Sequence, residues 1–177
     1  MSQTSNAEAL LEQGNAKYAN ANYAKKDYQD AIADYNEAIR INPNYAEAYY
    51  RRGNAKSAIS IINSVFGSSA IKDNQGAIAD YNEAIRLNPN YAKAYGNRGG
   101  VKSDLGDKQG AIADFNEAIR LNPNYANAYY NRGIVKSDLG DKQGAIADFR
   151  ESARLYQQQG KTANYENAQN QIRKLGG

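Results

Sequence analysis

Apolar and small residues recur along the chain at i, i+3, i+4 and i+7, in segments of about 14 residues broken by Gly- or Pro-containing punctuation. That spacing marks one face of a helix. Ala111, Phe115, Ala118 and Ile119 form one such face, and Tyr95, Gly99 and Leu105 belong to the segment before it. Between the two, Leu105-Gly106-Asp107 predicts a helix stop on a left-handed glycine. After the second, Asn122-Pro123-Asn124 ends the helix, because Pro cannot continue it and restricts the residue before it. Ser5 and Glu8 have the spacing of a capping box opening the first helix. Each pair of helices is a hairpin with one bare apolar face, so the hairpins must stack.

The pattern repeats. Residues 106–126 read GDKQGAIADFNEAIRLNPNYA, residues 73–92 read DNQGAIADYNEAIRLNPNYA, and residues 27–46 read DYQDAIADYNEAIRINPNYA. GDKQGAIADF returns at 140–149. Pro89 to Pro123, Gly99 to Gly133 and Gly106 to Gly140 are each 34 residues apart, whereas Pro43 to Pro89 is 46. Such self-similarity is the signature of a repeat array.

The third copy carries Tyr95, Gly99, Leu105, Gly106, Ala111, Phe115, Ala118 and Pro123. The fourth carries Tyr129, Gly133, Leu139, Gly140, Ala145 and Phe149. The second has Tyr49, Gly53, Ala77, Tyr81, Ala84 and Pro89; the first has Gly14, Ala31, Tyr35, Ala38 and Pro43, with Leu10 where an aromatic is usual. At these spacings the chain resembles tetratricopeptide (TPR) repeats of the bacterial type over roughly residues 7–157. The resemblance implies an all-α, right-handed solenoid of four antiparallel hairpins. The expected organisation is a flexible segment 1–6, repeats over 7–45, 46–91, 92–125 and 126–157, and a capping helix within 158–177. That last helix, about Thr162 to Leu175, places Tyr165, Ala168, Ile172 and Leu175 on one face and polar residues elsewhere, as an end cap requires.

Composition narrows the chemistry. The chain has no Cys, His or Trp, which excludes disulfides, zinc fingers, Cys or Ser–His nucleophiles and imidazole acid–base catalysis. Gly160-Lys161-Thr162 lacks the earlier glycine and the preceding strand of a phosphate-binding loop, so it reads as a helix junction. Asp73, Asp107 and Asp141 lack the alternating carboxylates of an EF-hand. No enzyme, cofactor or metal site is expected. A net charge of +3 with mixed signs gives no electrostatic case for nucleic acid. No stretch approaches the roughly 18–20 apolar residues of a membrane span, and the first residues carry no secretory pattern. The expected location is the cytoplasm.

Two copies depart from the period. Gly99 to Ala111 and Gly133 to Ala145 span 12 residues, but Gly14 to Ala31 spans 17 and Gly53 to Ala77 spans 24. Insertions of 5 and 12 residues therefore extend the tips of hairpins one and two, and neighbouring tips should touch. The longer insertion, about 59–72, is the most apolar stretch of the chain. Gly67-Ser68-Ser69 reads as a stop and a fresh N-cap, lengthening both helices by about 6 residues. Its apolar residues either pack on hairpin one around Tyr18, Tyr23 and Tyr28, or form an association surface through Ile59, Ile62, Val65 and Phe66, giving a homo-oligomer.

Charged residues recur once per copy. Arg52, Arg98 and Arg132, with Lys17, Lys56, Lys102 and Lys136, are placed to pair with Asp34, Asp80, Asp114 and Asp148. The TPR resemblance implies a protein or peptide partner lying in a groove lined by the first helices. Its groove positions fall here on Asn15, Tyr50, Arg51, Asn54, Lys93, Asn97, Asn127, Tyr130 and Asn131, with Leu11, Ser57, Ser103, Asp104, Ser137 and Asp138 beside them. Some family members clamp the acidic tails of heat-shock chaperones. The matching positions here are Leu11, Asn15, Arg51, Lys93 and Asn97, of which only Asn15 and Lys93 fit. A self-assembling module and an RNA-reading repeat are the rival readings.

Overall fold

The structure, a computed structural model, describes residues 3–21, 24–66 and 70–177. Among them are nine helices and no strand: α1 (Gln3–Asn20), α2 (Lys25–Ile41), α3 (Ala46–Val65), α4 (Ile71–Leu87), α5 (Ala92–Asp104), α6 (Lys108–Leu121), α7 (Ala126–Asp138), α8 (Lys142–Gln158) and α9 (Thr162–Lys174). They form two compact units, Met1–Ala94 and Tyr95–Gly177. The first stacks the hairpins α1–α2 and α3–α4; the second stacks α5–α6 and α7–α8 and closes with α9. None of these helices is long and apolar enough to cross a membrane.

The punctuation behaves as the residues dictate. Gly106 and Gly140 take φ of 86°. The amide of Asp107 bonds the Lys102 carbonyl (2.9 Å) and that of Gly106 bonds Ser103 (2.9 Å), a closed C-terminal turn that Gly140 and Asp141 repeat. Asp107 and Asp141 then cap the next helix by accepting from the amides of Gly110 and Gly144. Gly160, at φ 68°, makes the same kind of turn between α8 and α9. Before each proline the backbone is extended, and Asn42, Asn88 and Asn122 each accept from an amide two residues on (3.1 Å).

Inside each hairpin a glycine of the first helix lies against an aromatic of the second. A Cβ at Gly14 would come within 2.5 Å of Tyr35, and one at Gly53 within 2.8 Å of Tyr81. A Cβ at Gly99 would lie 3.0 Å from Phe115, and one at Gly133 2.9 Å from Phe149. All four rings are buried.

The recurrent charges hold the hairpins together. Arg52 Nε and Nη2 grip Asp80 at 3.0 and 2.6 Å, and Lys56 joins the same carboxylate at 2.8 Å. Arg98 and Lys102 do this to Asp114, and Arg132 and Lys136 to Asp148. Each guanidinium also lies over a tyrosine ring, Tyr49, Tyr95 or Tyr129, at 5.3–5.5 Å. In two of them the remaining guanidinium nitrogen reaches the preceding hairpin of the same unit: Arg52 bonds Asn36 (2.7 Å) and Arg132 bonds Asn116 (2.6 Å). In hairpin one, among the described residues, Lys17 pairs with Asp34 (2.6 Å).

Some expectations change. Helix α1 already runs from Gln3, so Ser5 lies inside it, not at its N-cap, and the expected flexible segment is helical from residue 3. The hairpin-two extension is unequal: α3 has 20 residues against 13 in α5 and α7, whereas α4 has 17 against 14 in α6. Tyr23 and the stop at Gly67-Ser68-Ser69 lie outside the described residues. Leu105 and Leu139 follow the last helical residue at the hairpin tips and are exposed. In α9, Ala168 and Ile172 are buried, with Tyr165 and Leu175 packed beside them on α8 and its neighbours.

Candidate functional site

The second helices present a self-neutralised outer face. Glu37–Arg40, Glu83–Arg86, Glu117–Arg120 and Glu151–Arg154 pair one turn apart at 2.5–2.6 Å. The arginine beside each of these glutamates holds its pKa below the usual carboxylate range. Such pairs solvate a surface and leave little charge for a ligand. The first helices differ, and the expected groove residues divide into three groups.

In the first group, the fold already uses the polar side chain. Asn15 accepts from the Tyr35 hydroxyl (3.1 Å), Asn54 from Tyr81 (2.9 Å) and Asn127 from Tyr156 (3.0 Å). A buried hydroxyl requires such a partner. The signal was in the sequence: Asn accompanies Tyr in hairpins one and two, whereas Gly100 and Ile134 accompany Phe115 and Phe149 in the others.

The second group is a cluster in the first unit. Tyr50 is buried between Tyr81 and Tyr91, with ring centroids 6.1 and 4.7 Å away. Arg51 Nε donates to Glu47 Oε1 (2.6 Å), its guanidinium lies 5.7 Å from the Tyr50 ring centroid, and the Tyr91 hydroxyl donates to Glu47 Oε2. Burial, with Glu47 adding to it, pushes the Tyr91 hydroxyl well above the ordinary tyrosine range. Arg51 is thus a half-exposed cation paired with Glu47 one turn before it, at an i, i+4 spacing that the sequence carries. Leu11 is 5% exposed within the core of hairpin one. Leu11 therefore leaves its clamp position without a cation, and Asn15 Oδ1 already accepts from Tyr35.

The third group faces outward. Lys93 is exposed in the first turn of α5, and Asn97 is half-buried. Tyr130 packs on Phe149 and Tyr156 at 5.5 and 6.4 Å and is half-buried. Asn131 is exposed on α7. It helps line an open pocket of about 270 Å³ between α5 and α7, together with Gly100, Ser103, Asp104, Phe115, Ile134 and Val135. This pocket unites Ser103, Asp104 and Asn131, predicted separately, around an apolar base. Desolvation raises the Asp104 pKa above the usual carboxylate value. Asp138, its equivalent one repeat on, is instead paired with Lys108 at 2.8 Å. Ser137 is half-buried beside it.

The tip of hairpin two resolves into two faces. Ile59 is 4% exposed, so it belongs to the interior and not to an association surface; Ile62 is half-buried. The buried side also holds Asn63, which donates to Asp73 (2.6 Å) and accepts from Lys25 Nζ (3.0 Å), joining the two tip extensions. Tyr18 and Tyr28 meet edge-to-face below them, 5.3 Å apart. On the other side Ile61, Val65, Phe66 and Ile71 are 59%, 74%, 79% and 57% exposed. No cluster of acidic residues able to hold a metal occurs among the described residues.

A family profile described as TPR repeat matches residues 19–58, 70–106 and 101–140, and one described as Tetratricopeptide repeat matches 126–159. Comparison with curated proteins gives no match. Among solved structures, the chain is similar to the crystal structure of MamA protein (TM-score 0.66, 23% identity, 99% of this chain and 91% of that one). It is also similar to the Arabidopsis OM64 TPR domain (TM-score 0.66, 26% identity, 77% and 99%). A third is the first TPR of Spaghetti (RPAP3) bound to the HSP90 peptide SRMEEVD (TM-score 0.63, 25% identity, 77% and 95%).

Proposed function

The chain belongs to the tetratricopeptide repeat family, and from that premise we propose that it is a non-catalytic protein–protein interaction module whose first helices hold an extended segment of a partner protein. The observation that carries this reading is the open pocket between α5 and α7, where adaptable polar groups surround an apolar base. The outer faces of α2, α4, α6 and α8 are occupied by their own Glu–Arg pairs and offer nothing comparable. The RPAP3 repeat is bound to the acidic peptide SRMEEVD, and acidic tails suit exposed cations. Here the first unit commits Arg51 to Glu47, so a ligand of that class is not favoured.

The test is selection from a displayed random peptide library on the whole chain. Selected peptides should lose binding to Asn131→Arg with Ile134→Arg, and keep it with Glu117→Lys or Arg154→Glu. The reverse pattern would overturn the groove reading.

A second reading rests on the exposed Ile61, Val65, Phe66 and Ile71. Together they expose a few hundred Å² of apolar surface, below the roughly 800 Å² per partner of a stable interface. Weak pairing with a second copy is the expected result. Sedimentation velocity should show concentration-dependent mass that Phe66→Lys abolishes; a constant monomer at all concentrations removes this reading.

A further inference from the structure

Helix α5 carries three glycines in five residues, and they face different surroundings. A Cβ at Gly96 would come within 2.7 Å of Tyr125, and one at Gly99 within 3.0 Å of Phe115 and 3.2 Å of the Ala111 carbonyl. Close packing accounts for both. A Cβ at Gly100 would meet nothing within 4 Å. A glycine inside a helix weakens it relative to alanine, so a glycine without a packing role calls for another reason. In the other copies this position holds Asn15, Asn54 and Ile134.

What the missing side chain leaves is the opening between α5 and α7. Phe115 and Val135 form its base, Ile134 one wall, and Ser103, Asp104 and Asn131 its rim. Its volume of about 270 Å³ leaves ample room for one Leu- or Met-sized group. Among the described residues no cation pairs with Asp104, whereas Asp138 is held by Lys108. An exposed carboxylate at the rim of an apolar pocket is electrostatically complementary to a ligand cation.

The geometry points to a subsite for one aliphatic side chain of the bound segment, flanked in that segment by Lys or Arg whose charge faces Asp104. This rests on the groove reading and specifies its ligand: basic and apolar, not acidic.

Fluorescein-labelled peptides centred on Lys-Leu-Lys, Glu-Leu-Glu and Lys-Gly-Lys test it by anisotropy against the whole chain. Circular dichroism checks that each variant is folded. The Lys-Leu-Lys peptide should bind best, and more weakly as salt rises. Gly100→Leu should weaken it about tenfold or more by filling the pocket, and Asp104→Asn by roughly three- to tenfold. Asp104→Asn should not weaken Glu-Leu-Glu. Equal or tighter binding of Glu-Leu-Glu, indifference to Gly100→Leu, or no binding of any of the three overturns the subsite. Library-selected peptides separate the two failures. If they respond to Asn131→Arg with Ile134→Arg but ignore Gly100→Leu and Asp104→Asn, the subsite fails and the groove stands. If they ignore all four substitutions, both fail.

Discussion

The Tyr81 hydroxyl donates to Asn54 Oδ1 at 2.9 Å, from the second helix of its hairpin to the first. Tyr35 and Asn15 repeat the bond at 3.1 Å. Where the aromatic is phenylalanine, the facing residue is Gly100 or Ile134, so hydroxyl and amide occur as a pair.

Removing one member should therefore cost more than removing both. Asn54→Ala strands a buried hydroxyl, at about 1–3 kcal/mol, and adding Tyr81→Phe should recover about 1 kcal/mol of that loss. A double-mutant cycle by urea denaturation measures the coupling. Additive single effects would contradict it.

This pair also marks how far the residues alone could be read. The 34-residue period, the Leu-Gly-Asp and Asn-Pro-Asn stops and the Gly99–Phe115 approach are local or periodic signals, and the hairpins followed from them. Helix position says which way Asn15, Asn54 and Asn127 face, not what bonds them. A partner 20, 27 or 29 residues away decides that. Arg51 differs: Glu47 lies one helical turn before it, a pairing that the i, i+4 spacing already contains. The Gly100 pocket was hidden because an opening between two helices appears only once both are placed.

Two glycines should respond in opposite directions to alanine. Gly14→Ala puts a Cβ 2.5 Å from the Tyr35 ring and should destabilise the first unit by about 1–3 kcal/mol. Gly100→Ala enters open space and should stabilise its helix by about 0.5–1 kcal/mol. Thermal melts of the two variants give the signs directly.

The Arg–Lys–Asp clusters should outweigh the outer pairs. Asp148→Ala leaves Arg132 and Lys136 facing each other around a buried position, and should cost about 3 kcal/mol or more. Glu117→Ala removes only an exposed pair and should cost at most about 0.5 kcal/mol. Chemical denaturation of both variants compares them.

Three groups give pH dependences of defined sign. The Asp104 pKa is raised by desolvation, so its contribution to stability is present below its unfolded value and lost as pH rises through the folded one. Asp104→Asn should raise the melting temperature at about pH 7 and change it little near pH 3, below the unfolded value. Tyr35 and Tyr91 are raised chiefly by burial, so their contribution holds below the ordinary tyrosine range and fades above it. An alkaline absorbance titration should show a late class of tyrosines ionising together with the loss of helical dichroism.

The central claim is that the first-helix face, and not the outer face, takes the partner. Amide shift mapping of the isotopically labelled chain with a library-selected peptide tests it most directly. The account predicts shifts concentrated at Gly100, Ser103, Asn131 and Ile134, with Glu117, Arg120, Glu151 and Arg154 unmoved. Shifts confined to those outer residues, or to the Ile61–Ile71 tip, would contradict it.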